Sequence, residues 1–485
     1  MTGMLRRHKR QVWIGLFVAV LVVWGLTDVR KRAHLDPNDV STHRTDVTVY
    51  TGAGAAFFQE GVDPYLVESP RGWHYLYPPL FAIAVAPLAT LPPSEQGLVF
   101  YLISLLFVYG CLHETSRIAS VALCGRPVGW FALLKGDVPR WVVWTAGLAV
   151  FFPLFNCLQR AQVAPFTLYP LLAGTRLVIE RKSRAWLVGG GVVLALPVAI
   201  KLTPLLPVAF VGWVLWLRAL LGWKAMDSGG RAGDAATVTA AVGAGLALWL
   251  FFVPAAFIGW NQNLNHLSTW VERVAANQSY DEENQFFAAS RRNQSFQNGA
   301  RLLLGSVCDK PALQEGAVVP DGRFRSELNA KIPDQAIDRA LFIARVAMMF
   351  LLILVGGVSL AATGTALAVA VALGLGAVGS VVFSPLSWGH HYAIIWPAAI
   401  FVPLLFLRAG RTRVAKVFAV SAAALTVGHY AFMSQLGPIG MLGVGMAVWF
   451  VAATIVLAQT VRGHKLILDS RPFYGGEHPG TQSGW

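Results

Sequence analysis

The chain has 485 residues, of which 55% are hydrophobic and only 13% charged, with 17 tryptophans. A soluble domain carries about a quarter charged residues, so this composition excludes a soluble enzyme and implies an integral membrane protein. The net charge of +14 does not indicate nucleic acid, because the basic residues cluster between apolar runs, where membrane topology and anionic lipid account for them.

Met1–Arg10 and the apolar Gln11–Leu26 resemble a signal peptide in charge and length. Trp24-Gly25-Leu26-Thr27-Asp28 lacks a small-residue cleavage pattern, so the segment reads as an uncleaved first span. Apolar runs lie at 12–27, 97–113, 141–158, 163–180, 185–200, 202–217, 236–260, 341–363, 366–386, 391–407, 414–431 and 437–459. A span needs about 20 residues, and several of these runs are short enough to be distorted or to recruit their neighbours. The expectation is an all-α polytopic protein of about twelve transmembrane helices over residues 1–460. A cytoplasmic tail, 461–485, is rich in Gly, Pro and charge and reads as disordered.

A thirteenth span at Leu76–Leu91 would invert everything after it. Three prolines in that segment argue for a broken or re-entrant piece on the outer face. With it outside, the cytoplasmic pieces gather Arg6, Arg7, Lys9 and Arg10, Arg117 to Arg140, Arg181 to Arg184, Arg218 to Arg231, and Arg408 to Arg413. The short outer turns then hold only Arg160 and Lys201, as the positive-inside rule requires. Both termini are cytoplasmic in this topology. Crossing by Ile118–Leu134 would also alter the parity, but Arg126 at its middle opposes that.

The first outer loop, 28–96, carries the most informative stretch. Asp46 opens a short amphipathic run in which Val47, Tyr50, Phe57 and Phe58 share a face, with Gly61 ending it. Val62-Asp63-Pro64-Tyr65 then turns the chain toward Tyr75-Leu76-Tyr77-Pro78-Pro79. A carboxylate at the membrane surface, roofed by tyrosines, suits acid–base chemistry on a substrate whose tail lies in lipid. The competing reading makes Asp46 a plain helix N-cap. Asp36, Asp39 and Asp63 are the next carboxylates in the loop.

The large loop 261–340 is dotted with amides and aromatics, including Asn261, Asn263, His266, Trp270 and Asn293-Gln294-Ser295. Amides suit sugar hydroxyls and rings suit the apolar sugar face, although solvated turns have the same composition. Asn277-Gln278-Ser279 and Asn293-Gln294-Ser295 also match an N-glycosylation pattern that is common by chance. Lys201 breaks an apolar stretch ahead of Thr203-Pro204. It is either a functional cation able to meet a lipid phosphate or a snorkelling side chain. His390 and His391 follow Ser384-Pro385-Leu386-Ser387-Trp388. Adjacent histidines on a helix point about 100° apart and do not suit one metal, whereas one of them could donate to a phosphate. An interfacial His/Trp belt is the alternative. Gln162 could bond a polar headgroup or simply end a helix. No internal repeat, phosphate-cradling loop or metal-spaced Cys/His set occurs, and Gly189 to Gly191 and Gly374 to Gly379 read as close helix-packing positions.

In order along the chain, Asp46-Val-Thr-Val-Tyr50, Gly61-Val-Asp-Pro-Tyr65, Tyr75-Leu-Tyr-Pro-Pro-Leu80, Lys201-Leu-Thr-Pro204, Asn293-Gln-Ser295 and Ser384-Pro-Leu-Ser-Trp-Gly-His-His391 resemble glycosyltransferase family eighty-seven. These are GT-C-type membrane enzymes that include the mycobacterial polyprenol-phosphate-mannose-dependent mannosyltransferases of phosphatidylinositol mannoside synthesis. The family's Gly-Gln-x-Asn turn is here Arg160-Ala-Gln162-Val-Ala. The resemblance implies glycolipid biosynthesis at the plasma (inner) membrane: an inverting transfer of a hexose, mannose first, to a lipid or glycan acceptor on the outer face. Asp46 is then the general base, and Lys201, His390 and His391 bind the phosphate of a polyprenyl-phosphate sugar. Tyr50, Tyr65, Tyr75, Tyr77, Gln162, Asn293 and Trp388 are expected to contact substrate. The lipid-linked sugar is a co-substrate, and no metal or other cofactor is expected. A pentosyltransferase using polyprenyl-phosphate arabinose, or a lipid-linked-sugar flippase, is the competing reading.

Overall fold

A computed structural model of the protein describes residues 12, 15–16, 18–70, 72–124, 138–220, 232–275, 293–303, 335–363, 366–384, 387–436 and 440–463. Every regular element among them is a helix, and the protein is an all-α polytopic membrane protein. Each of the twelve apolar runs falls on a helix. The 461–485 tail lies outside the described residues apart from its first three, which continue the last helix.

Helix α1 closes through a π-helical turn, Gly25–Val29, and Arg30–Ala33. Loop one then forms α2 (Val47–Ala56) and α3 (Pro79–Val85). There follow α4 (Pro93–Cys124), α5 (Arg140–Arg160), α6 (Ala164–Glu180), α7 (Arg184–Ile200), α8 (Leu205–Leu220) and α9 (Ala232–Ile258). After α10 (Trp260–Trp270) and α11 (Phe296–Leu303) come α12 (Arg339–Thr363), α13 (Ala366–Val382), α14 (Gly389–Arg408), α15 (Thr412–Ala431) and α16 (Met441–Gly463). Seven of the described helices (α4, α5, α9, α12, α14, α15 and α16) have the length and apolarity to cross a membrane. Helices α7, α8 and α13 are apolar but only 16 or 17 residues long, about 25 Å against a hydrocarbon core of about 30 Å.

Segment 76–91 is broken, as its prolines imply. Its helix α3 has 7 residues and passes into a five-residue 3-10 turn, Ala86–Thr90, with Pro87 near the start of that turn. Residues 118–124 simply extend α4, while 125–134 lie outside the described residues.

The centre is built from α13 and α14. Every residue of α13 after Ala366 is buried, as is nearly all of α14. Small residues make this possible, as expected at the glycine clusters. A methyl on Gly191 of α7 would stand 2.8 Å from the Val238 carbonyl of α9, and one on Gly376 of α13 would stand 2.5 Å from Pro207 of α8. Backbones approach this closely only without a β-carbon.

Loop one differs from its sequence reading in one respect. Helix α2 is not amphipathic: Val47, Val49, Tyr50, Thr51, Ala53, Gly54 and Ala56 are all buried. It stops at Ala56, five residues before Gly61, so Phe58 leaves the shared face and is 51% exposed. The helix is enclosed because α3 packs across it, with Gly54 against Ala82 and Ala86.

Charges gather at the end of the bundle away from loop one. Glu180 pairs with Arg117 at 2.8 Å and Arg176 at 3.4 Å, and Arg176 also bonds Glu114. Arg181 meets Asp234 at 3.4 Å, and Arg408 donates to the Ala122 carbonyl. The Glu180 side chain is only 2% exposed. Buried carboxylates of this kind hold α4 to α6 only while both partners are present. Glu180→Gln keeps the volume but takes the carboxylate from Arg117 and leaves Arg176 to Glu114 alone, and a loss of about 3 kcal/mol is expected. It should appear as a lowered melting temperature of the detergent-purified protein, with an unchanged value refuting a structural role.

Candidate active site

Asp46 sits where loop one is pinned to the membrane helices. His43 fixes the approach. Its Nδ1 lies 3.0 Å from the Ala33 carbonyl, which can only accept, so Nδ1 carries the proton. Nε2 is then a lone pair that accepts from the Thr48 hydroxyl at 2.9 Å. Three residues after His43, the Asp46 N–H donates to the Arg160 carbonyl at 2.9 Å.

Asp46 occupies the N-cap position of α2, yet its side chain makes no capping bond. Its Oδ2 accepts from Gln162 Nε2 instead. The cap reading fails at this point, and the carboxylate faces the α5–α6 turn. That turn is tight: Ala161 has φ 55°, the left-handed region, and the Gln162 N–H bonds Cys157 O at 2.9 Å. Gln162, 3% exposed, is thereby aimed at loop one. The other carboxylates of the loop are spent locally. Asp36 accepts from Asn38 N and Asp39 from Ser41 N. Asp63 accepts from Tyr65 N at 2.9 Å and pairs with Arg273 at 2.7 Å.

The four expected tyrosines divide into two pairs. Tyr50 and Tyr77 lie together, ring centroids 5.7 Å apart, and Tyr50 lies within electrostatic range of Asp46. Burial first, then the neighbouring Tyr77 and Asp46, push the Tyr50 phenol well above its ordinary pKa. It therefore stays a hydrogen-bond donor at neutral pH. Tyr75 and Tyr65 stand behind them. Tyr75 is fully buried, donating to Pro78 O at 2.7 Å and accepting from Ala82 N at 3.1 Å, so it sets the start of α3 instead of meeting substrate. Tyr65 is 4% exposed and packs edge-on against Phe57.

Lys201 completes the other side. Pro204 disfavours helix at the residue before it, and α7 ends at Ile200 with Lys201 extended (φ −154°). Its ammonium lies 5.1 Å from the Tyr77 ring centre and 3.3 Å from His391 Nε2. His391 Nδ1 lies 3.3 Å from the Trp388 N–H. A neutral imidazole has one lone pair and cannot accept from both donors. The Lys201 ammonium and His391 Nε2 thus stand at one place, where both can donate to an oxyanion.

Of the two histidines, His391 stands beside Lys201. His390 is turned inward, 6% exposed, with its carbonyl accepting from Cys157 Sγ at 3.1 Å. Asn293 is also not at the surface. It is fully buried, and its Oδ1 accepts from Ser295 N at 3.0 Å and Ser387 N at 2.9 Å. The expectations of substrate contact and of glycosylation at Asn293 give way to a clamp holding the 387–391 turn; Asn277 lies outside the described residues. Trp388 bridges to Asn293 through its backbone and packs edge-on against Trp73 of loop one at 6.1 Å. One surface thus joins Asp46, Gln162, Tyr50, Tyr77, Lys201 and His391. Arg160, counted in the sequence only as a topological charge, lies within electrostatic range of His390 and Cys157. The departure from the Gly-Gln-x-Asn pattern at this turn was the one available signal for it.

The site sets the Asp46 carboxylate against Lys201 and His391 across an aromatic wall. The model of glycosyltransferase family 87 matches residues 75–313, about half of the chain. The chain belongs to that family and is a membrane glycosyltransferase. The match takes in Tyr75, Tyr77, Gln162, Lys201 and Asn293, and stops short of Asp46, Trp388, His390 and His391. A search of curated proteins finds no match.

Burial pulls the His43 imidazole below its ordinary value of 6.5. Unfolding raises its proton affinity, so the stability that neutral His43 contributes is whole above about pH 6.5 and is lost as pH falls through the lowered native value. The gap in melting temperature between wild type and His43→Gln should narrow from about pH 8 to about pH 5. A constant gap contradicts this anchoring role.

Proposed function

We propose that the protein moves a hexose, mannose as first choice, from a polyprenyl-phosphate sugar to a lipid or glycan acceptor, with inversion. One observation carries the reading: Asp46 and the Lys201–His391 pair stand at the two ends of a continuous run of side chains through Tyr50 and Tyr77. A single displacement needs a base on the acceptor side and positive charge on the leaving side. The acceptor oxygen bonds to the anomeric carbon as the bond from that carbon to the phosphate oxygen breaks. The hydroxyl proton passes to Asp46, and the bonding pair leaves with the polyprenyl phosphate.

Gln162 holds Asp46 Oδ2 and leaves Oδ1 for the acceptor proton. The leaving phosphate gains one negative charge as a diester becomes a monoester, and the Lys201 ammonium and a His391 N–H meet it. Tyr77 offers its hydroxyl and ring face to the sugar between, with the buried Tyr50 ring behind it. The proposal includes no metal: the Lys201 ammonium and a His391 N–H meet the charge on the leaving oxygen. In this reading the site faces the outer side of the plasma (inner) membrane, and both termini are cytoplasmic.

Asp46→Asn keeps the shape and the N-cap propensity but removes the proton acceptor. The rate should fall about 10²–10⁴-fold with labelled polyprenyl-phosphate mannose, while the melting temperature holds. Turnover within a few-fold of wild type would remove the assignment. The same assay with polyprenyl-phosphate arabinose discriminates hexose from pentose donors, and movement across vesicles without product would identify a flippase.

Topology has its own test. Cysteines at Arg184 and Arg411 should resist an impermeant thiol reagent in intact cells, and one at the exposed Glu60 should react. Labelling at position 184 from outside overturns the orientation without touching the chemistry.

A further inference from the structure

Helix α15 ends in two polar side chains that the transfer above leaves unused. His429 is 1% exposed, and neither ring nitrogen meets a hydrogen-bond partner. The hydroxyl of the next residue, Tyr430, is also enclosed without a partner. An enclosed polar atom that lacks a partner has given up water for nothing, and three at one place indicate a missing occupant.

Both side chains are directed at Gly389. A methyl there would stand 2.8 Å from the Tyr430 hydroxyl oxygen, too close to be accommodated as it stands, and at an ordinary 3.5 Å from His429 Nε2, so glycine leaves room for the hydroxyl. Phe152 of α5 stacks on the Tyr430 ring at 5.6 Å and holds it in place. Gly389 opens the turn that carries His390 and His391. The Arg160 guanidinium lies within electrostatic range of both Tyr430 and His390. Among the described residues no carboxylate is recorded as acting on His429 or Tyr430. The Arg160 charge acting on the Tyr430 hydroxyl favours an anion there over a basic group.

We propose that His429 and Tyr430, with Arg160 beside them, form a further part of the donor-phosphate site. They take phosphate oxygens that Lys201 and His391 do not hold. The leaving polyprenyl phosphate is a monoester with three terminal oxygens, one more than the donor diester, and the Lys201–His391 gap accounts for at most two, so the added contacts act on the phosphate as it leaves. The Tyr430 O–H and one His429 N–H donate to the remainder. This inference rests on the donor reading above, and it recruits a helix outside the stretch matched by the family model.

The test uses the full-length protein in detergent with polyprenyl phosphate as the probe and polyprenol, which lacks the phosphate, as its control. Tyr430→Phe and His429→Gln should each weaken polyprenyl phosphate binding at least about tenfold and leave polyprenol uptake unchanged. Removing an orphan hydroxyl relieves the empty protein, so the ligand-free melting temperature of Tyr430→Phe should hold or rise. Wild-type affinity in both variants, with Lys201→Ala weakened, overturns the inference and leaves the donor reading intact. Affinity lost only together with a fall in melting temperature makes the pair structural and overturns it as well. A wild-type protein that binds polyprenol as tightly as its phosphate removes both readings.

Discussion

The junction between loop one and the α5–α6 turn governs the rest of the site. Two bonds make it: the Asp46 N–H to Arg160 O, and Gln162 Nε2 to the Asp46 carboxylate. The first fixes where the backbone of loop one lands, and the second fixes which way the acid points. Tyr50 is one helical turn beyond Asp46, so its position beside Tyr77 follows from the same anchor. Tyr77 in turn roofs Lys201. A loop of more than 50 residues between two helices is thus held by a few short-range contacts at its reacting end, while the α2–α3 packing keeps the remainder from drifting.

The bundle separates its polar groups by position. At one end carboxylates and arginines neutralise each other in buried pairs. At the other, loop one has ion pairs of its own, Arg30–Glu95, Arg32–Asp28 and Arg273–Asp63, while Lys201 meets His391 and the Tyr77 ring instead of a carboxylate. Ion pairs cost desolvation and gain it back only in pairs. An unbalanced set of donors persists in a fold only where a ligand or water completes it. The contrast between the two ends points to where substrate enters more directly than any single residue does.

The sequence was most legible where physics acts locally. Spanning length and apolar composition place the helices, and prolines 78, 79 and 87 foretell that 76–91 breaks. The candidate site was legible as a set of residue types, and Asp46, Lys201 and the His390-His391 pair were visible as polar groups in apolar settings. What a sequence lacks is direction. Nothing in the spacing separates His391, beside Lys201, from His390, turned toward α5. Tyr75 and Tyr77 are two residues apart, yet one is consumed by the α3 entry and the other roofs the cation. Asn293 looked like a sugar ligand because an amide has the same donors whether it meets a hydroxyl or a backbone. Phe58 was placed on the buried face because α2 was extended too far; the helix ends at Ala56 and Phe58 turns outward.

The Asn293 clamp bears on how such an enzyme diversifies. One side chain there accepts from two backbone segments nearly a hundred residues apart, and no other residue type presents an amide oxygen at that reach. Change at Asn293 would loosen the phosphate-side turn whatever sugar is carried, so selection for a new donor has no useful variation to work with at that position. Tyr77 is half-buried in the wall between Asp46 and Lys201, so it can vary without loosening that clamp. New sugar preferences in this architecture are therefore expected to arise through the wall between acid and cation, with the clamp carried forward unchanged.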